Sequence, residues 1–306
     1  MEKIIRIGTR ESQLAVWQAE TVQQMLAQHG FKSELVYIKS DGDIDLVTPL
    51  YEIGVQGVFT KTLDAALLSD KIDIAVHSMK DVPTQLAAGI VQAAVLQRAS
   101  YKDIVVYKGD ASKFNDKNSA LIIATSSIRR KAQWLNRYPN TQIENLRGNV
   151  NTRLQKVKDN NWDGAIFAAA GVERINLRPE NSFELDWMLP APAQGAIMIV
   201  CRENNTTIKE KCFLLNNEAT ALCTKIERDF LRKLLGGCST PISALAEIKN
   251  DTVYFQGNIC SVNGEETIGI EKTSSVKDAA ILGLQAAEEI LTKGADKLIQ
   301  ALQNAK

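Results

Sequence analysis

The sequence predicts an α/β protein. Three observations carry this. Short apolar runs alternate with longer amphipathic stretches over the first two thirds of the chain. The turns between them are rich in Gly, Ser, Thr and Arg, as strand-to-helix turns often are. The last third has a different pattern, with period-two segments held between helices.

Taken in order, "IIRIGT" reads as a strand and "SQLAVWQAETVQQMLAQHG" as a helix. Ala15, Ala19, Val22 and Leu26 form its apolar stripe, with Ser12 as N-cap and Gly30 as stop. "KSELVYIKS" is a strand, "DGDIDLVTP" a polar loop, "FTKTLDAALLSD" a helix and "IDIAVHSM" a strand, consistent with a largely parallel sheet. A second block repeats this alternation, with "ALIIATSS", "TQIENLRG" and "WDGAIFAAAG" as strands and "IRRKAQWLNRY" and "VNTRLQKVKDN" as helices.

Gln97–Tyr101 and "LPAPAQGAI" read as two crossings that bracket this second block, so two lobes with a cleft are expected. "GAIMIVCRE" then returns to the first lobe as a strand. The assignment is residues 1–97 with 196–216 for lobe 1, 101–191 for lobe 2 and 218–306 for a small α+β domain. In that last domain "ATALCTKIERDFLRKLLGG" is a helix, "TVYFQGNICSVNG" and "ETIGIEKTS" a hairpin, and "VKDAAILGLQAAEEILTKG" a helix. Its stripe is Ala280, Leu284, Ala287 and Leu291.

A chain of 306 residues has room for two or three domains with buried cores. Lys+Arg and Asp+Glu are 36 each, so no global charge favours nucleic acid or an anionic membrane. No basic-then-apolar leader opens the chain, and no apolar run approaches the ~18 residues that span a bilayer. The expected compartment is the cytoplasm, where Cys201, Cys212, Cys223, Cys238 and Cys260 stay reduced. All but Cys238 sit in apolar or helical contexts and read as packing residues. No C-x-x-C pair occurs and the histidines are His29 and His77, so no metal site is expected.

Chemistry concentrates at the strand-to-helix turns. "GTRES" places Arg10 at the first, "TSSIRR" places Arg129 and Arg130 after Thr125, Ser126 and Ser127, and "LRGNVNTR" places Arg147 and Arg153 around another. Helix N-termini offer free N–H groups and partial positive charge, and arginine adds bidentate carboxylate recognition. These turns point to a ligand with several carboxylates or phosphates; the competing reading pairs each arginine with a nearby acid. In "AVHSMKDVP" an apolar strand runs into Lys80 and Asp81. A carboxylate there can accept N–H bonds and stabilise a cation, although Asp before Pro also starts turns. His77 is a candidate base, with a locally hydrogen-bonded histidine as the plainer reading. In "KLLGGCSTPIS", Cys238 follows two glycines that let the backbone approach a ligand, as a covalent anchor, a nucleophile or an inert loop thiol.

Seven stretches together resemble the porphobilinogen deaminase (hydroxymethylbilane synthase) family almost end to end: "RIGTRESQLAVWQA", "DIAVHSMKDVPT", "ATSSIRR", "LRGNVNTRL", "AAAGVERI", "LPAPAQGAI" and "LGGCSTPI", in the family's order. The resemblance implies two lobes like type II periplasmic binding proteins plus a small C-terminal α+β domain. It implies a monomeric cytoplasmic transferase of tetrapyrrole (haem) biosynthesis, without nucleic acid, membrane or metal. Four porphobilinogen molecules condense stepwise, each losing ammonia to give an azafulvene-type electrophile, and linear hydroxymethylbilane is released. A dipyrromethane cofactor is implied on Cys238 through a thioether. Asp81 matches the catalytic aspartate. Lys80, Asp81, Thr125, Ser127, Arg129 and Arg130 match cofactor-holding positions. Arg10, Ser12, Arg147, Arg153, Arg174 and Gln194 match positions around the substrate and growing chain.

One departure is Gln56, which stands in "VQG" where many relatives carry lysine; it brings hydrogen bonds but no charge. Two other classes fit part of the pattern. A two-lobed anion-binding protein explains the arginines but not Cys238, and a thiol-dependent acyl transferase wants a base beside the thiol that spacing does not supply.

Overall fold

A computed structural model of the chain describes residues 3–39, 60–234 and 240–304. The loop expected at "DGDIDLVTP", the glycine pair around Gln56, and Cys238 lie outside these residues. The chain divides into two compact units, one containing residues 3–39, 60–99 and 195–222, the other 100–194, 223–234 and 240–304.

The elements run in chain order. The first are β1 (Ile5–Thr9), α1 (Gln13–Gln28), β2 (Ser33–Tyr37), α2 (Lys61–Leu68), β3 (Ile74–Ser78) and β4 (Ile90–Val95). The second unit opens with β5 (Asp103–Tyr107), β6 (Ile122–Ala124), α3 (Ile128–Arg137), β7 (Gln142–Glu144), α4 (Val150–Asp159), β8 (Gly164–Ala168), α5 (Ala169–Glu173) and β9 (Ser182–Glu184). The chain then returns with β10 (Ile197–Arg202) and α6 (Thr206–Phe213). It ends with α7 (Glu218–Lys233), β11 (Ile242–Lys249), β12 (Thr252–Cys260), β13 (Thr267–Ser275), α8 (Leu282–Ile290) and α9 (Asp296–Asn304).

The first unit is built on the sheet β2-β1-β3-β10-β4. β1 pairs in parallel with β2 and β3, and β10 runs antiparallel to both β3 and β4. Four strands thus share one direction and the returning strand opposes them. α1 forms where the sequence places it: Ser12 is an extended N-cap, Gly30 takes φ +83, and the Phe31 N–H closes the end on the Leu26 carbonyl at 3.0 Å. Gln18, Ala19, Val22 and Leu26 are its buried face; Ala19, Val22 and Leu26 share a core with Ile5, Ile7, Ile74, Val76 and Ile199, and Gln18 Nε2 donates to Ser78 Oγ at 2.9 Å.

The second unit repeats the plan. Its sheet is β7-β6-β8-β5-β9, with β6 parallel to β7 and β8, and β5 antiparallel to β8 and β9. An aromatic group of Phe114, Trp134 and Tyr138 fills one face, Trp134 stacking on Tyr138 with ring centroids 4.7 Å apart. The same unit holds the antiparallel sheet β11-β12-β13, in which β12 and β13 are the expected hairpin and β11 is an additional strand.

The last long helix differs from the sequence reading. A 3-10 turn at Ala279–Ile281 precedes α8, and a π turn at Leu291–Ala295 follows it, with Gly294 at φ +101. The buried face is Ala279, Leu282, Gly283, Ala286, Ala287 and Ile290, while Ala280 is exposed and Leu284 only half-buried. The stripe is rotated because Gly283 meets α7: a Cβ there would lie 2.0 Å from the Ile226 carbonyl oxygen. A residue without a side chain sets the helix's closest approach, which apolar spacing does not register.

Candidate functional site

In the first unit the site residues follow the ends of adjacent parallel strands. β1 leads into half-buried Arg10 and Ser12; β3 leads into a 3-10 turn, Met79–Asp81, that carries Lys80 and Asp81 half-buried. The Met79 N–H donates to the Ala196 carbonyl at 3.0 Å, and Val82 N–H closes the turn on the Met79 carbonyl at 3.2 Å. Strand pairing therefore fixes where the Asp81 backbone begins. His77, the penultimate residue of β3, is buried, and among the described residues its Nε2 has no hydrogen-bond partner. The locally bonded histidine expected from the sequence is not what Nε2 shows. Burial, with the Arg10 charge adding to it, pulls its pKa down to about 4, so the imidazole is neutral.

In the second unit three parallel neighbours deliver their C-terminal ends to one edge. Past β6 come Thr125, buried, and Ser127, the N-cap of α3, whose Oγ accepts the Arg130 N–H at 3.4 Å. Thr125 Oγ1 accepts the Ser127 N–H at 3.2 Å, and Thr125 N–H is tied to the Glu144 carbonyl at 2.8 Å. Past β7 come buried Arg147 and half-buried Arg153, around Asn149, the N-cap of α4. Arg153 Nε donates to the Gly148 carbonyl at 2.7 Å. Past β8 and α5 comes Arg174, whose burial pulls its pKa down to about 10 against the opposing pull of Glu173.

Arg129 and Arg130 are not surface arginines. Both are buried, and they share Asp103, which is 0% exposed. Arg129 Nη2 donates to Oδ2 at 2.7 Å, while Arg130 donates to Oδ1 from Nε at 3.1 Å and Nη2 at 2.7 Å. Their Nη1 atoms donate to the carbonyls of Leu189 at 2.6 Å and Ile166 at 2.9 Å. Burial pulls Arg129 below its ordinary pKa and Asp103 pulls it back. Gln194 joins the same cluster, its Nε2 donating to Asp103 Oδ1 at 2.9 Å and to the Tyr101 carbonyl at 2.7 Å. Asp103 is thus a residue that sequence reasoning misses. Nothing in "YKDIVV" marks it, because its partners lie more than twenty positions along the chain.

The cysteines expected to be packing residues, Cys201, Cys212, Cys223 and Cys260, are buried. Among the described residues no helix is long and apolar enough to cross a membrane.

Each of the two α/β units has parallel strand ends followed by arginines and hydroxyls, residue types that suit anionic small molecules. Two family models place the chain more closely. Residues 5–210 match porphobilinogen deaminase, dipyromethane cofactor binding domain, and residues 221–292 match porphobilinogen deaminase, C-terminal domain. A porphobilinogen deaminase from Chlorobium phaeobacteroides is 39% identical over 311 residues, covering 99% of this chain and 99% of that one. One from Syntrophotalea carbinolica is 40% identical over 302 residues, covering 97% of this chain and 96% of that one. Among solved structures, an ancestral cationic amino acid solute-binding protein is similar at 12% identity and a TM-score of 0.45, over 69% of this chain and 87% of that chain. The chain belongs to the porphobilinogen deaminase family. Its activity is hydroxymethylbilane synthesis, a transferase step of tetrapyrrole biosynthesis with porphobilinogen as substrate and dipyrromethane as cofactor.

The residues present fit that cofactor. Among the described residues, the buried guanidiniums of Arg129 and Arg130 share a single carboxylate, Asp103. A further carboxylate, such as an acid side chain of dipyrromethane, is the kind of group that suits such a pair.

Proposed function

We propose that this enzyme works with Asp81 as its catalytic carboxylate and Cys238 as the thioether anchor of dipyrromethane. Lys80, Thr125, Ser127, Arg129 and Arg130 hold the cofactor's acid side chains. Arg10, Ser12, Arg147, Arg153, Arg174 and Gln194 serve the substrate and the growing chain. The two units then act as lobes of the type II periplasmic-binding kind, with residues 1–97 and 196–216, then 101–191, and 218–306 as a third, cofactor-bearing domain. The enzyme works in the cytoplasm as a monomer.

The observation that carries this reading is the shared edge of β7, β6 and β8, from which Thr125, Ser127, Arg147, Arg153 and Arg174 all follow. Each pyrrole brings an acetate and a propionate, and each charge-assisted bond to one is worth about 1.5–3 kcal/mol. Dipyrromethane, when bound, supplies the pyrrole carbon on which the product is assembled. Asp81 accepts pyrrole N–H groups, offsets positive charge as ammonia leaves, and takes up the proton released on coupling. Arg129, Arg130 and Gln194 commit several of their donors to Asp103 and main-chain carbonyls, so a carboxylate meets side chains already fixed in place. In Asp81→Ala, turnover should fall by about a hundredfold or more with the cofactor mass retained. A variant that holds its cofactor and turns over normally removes Asp81 from catalysis.

A further inference from the structure

Asp103 has no role of its own in the proposed function, yet it organises the buried arginines of the site. It receives donors from Arg129, Arg130 and Gln194, which come from two separate segments of the second unit. Three of Arg130's N–H groups are committed among the described residues, two to Asp103 and one to the Ile166 carbonyl. A guanidinium has five. Its plane is therefore fixed while donors remain for a ligand. Arg129 is held at two points, Asp103 and the Leu189 carbonyl.

This arrangement is a poor device for stability alone. Buried ion pairs are often no better than apolar packing, and among the described residues two buried guanidiniums share a single carboxylate. It is a good device for binding, because the rotamer entropy of two long side chains is lost before the ligand is met.

We propose that Asp103 is a positioning residue of the cofactor site, presetting Arg129 and Arg130 for the acid side chains of dipyrromethane. The inference rests on the reading that those arginines hold the cofactor.

The test loads unloaded full-length protein with preformed hydroxymethylbilane and reads the cofactor increment by intact mass, beside the melting temperature of the unloaded chain. Asp103→Asn removes the charge; Asp103→Glu keeps it and displaces the carboxylate by one methylene; Arg130→Gln tests the underlying reading. The expected result is that both Asp103 variants melt as folded proteins and need about tenfold or more hydroxymethylbilane for half-loading. Arg130→Gln should be impaired too. Normal loading by Asp103→Glu and Asp103→Asn, with Arg130→Gln impaired, overturns the inference and leaves the reading intact. Normal loading by Arg130→Gln overturns the reading and the inference with it. Failure of both Asp103 variants to fold makes the residue structural and also overturns the inference.

Discussion

The Ala193 N–H donates to Oε2 of Glu227 at 2.6 Å, across 34 positions of sequence. Ala193 needs that hold. It is a non-glycine residue at φ +62, fully buried, one position before Gln194 and two before Gly195 at φ +87. Left-handed backbone at an alanine costs of order 1 kcal/mol or more and persists only where its surroundings impose it. The other oxygen, Oε1, accepts the Ala246 N–H of β11 at 2.8 Å, so one buried carboxylate joins the 190s segment to the three-stranded sheet.

Glu227→Gln should therefore destabilise the protein although it changes one atom. The amide NH2 would confront one of the two main-chain N–H groups, leaving a buried donor unsatisfied at a cost of about 2 kcal/mol. Urea unfolding of the wild type and variant measures it. Equal midpoints would mean that Glu227 does not carry the segment.

His77 predicts an acid-side loss of stability. Its folded pKa of about 4 lies below the ordinary histidine value of 6.5. The unfolded chain then binds the proton more readily, so stability is intact above about pH 6.5 and declines as pH falls toward 4. The shift corresponds to about 3 kcal/mol across that window. Arg10, the charged group whose field adds to the burial effect, deepens the loss. His77→Gln should flatten the dependence of unfolding free energy on pH between 6.5 and 4. An unchanged slope would show that the imidazole titrates normally in the folded protein.

The parts of the fold that local chemistry controls are legible in the sequence. Ser12 and Gly30 bound α1 where the sequence places them, Gly30 by its left-handed backbone and Ser12 by its extended backbone without a side-chain cap bond, and period-two patterning finds β12 and β13. The return of "GAIMIVCRE" as β10 to the first unit is also readable. What sequence spacing leaves out is tertiary. Gly283 rotates the face of α8 because another helix's backbone comes close, and β11 escapes the reading although its pattern is apolar. The arginines of "TSSIRR" are readable as anion-binding residues, but not their burial on Asp103, since an ion pair between distant segments leaves no local trace. Gln194 falls with the substrate by resemblance; its amide is bonded to Asp103 and the Tyr101 carbonyl.

A cofactor anchored on Cys238 adds to the mass of the polypeptide, and the intact mass of the purified protein under denaturing conditions measures it. The expected excess equals two porphobilinogens less two ammonias, located by peptide mapping on the fragment containing Cys238. A bare polypeptide mass that neither porphobilinogen nor preformed hydroxymethylbilane raises, or an excess mapped to a different residue, would contradict it.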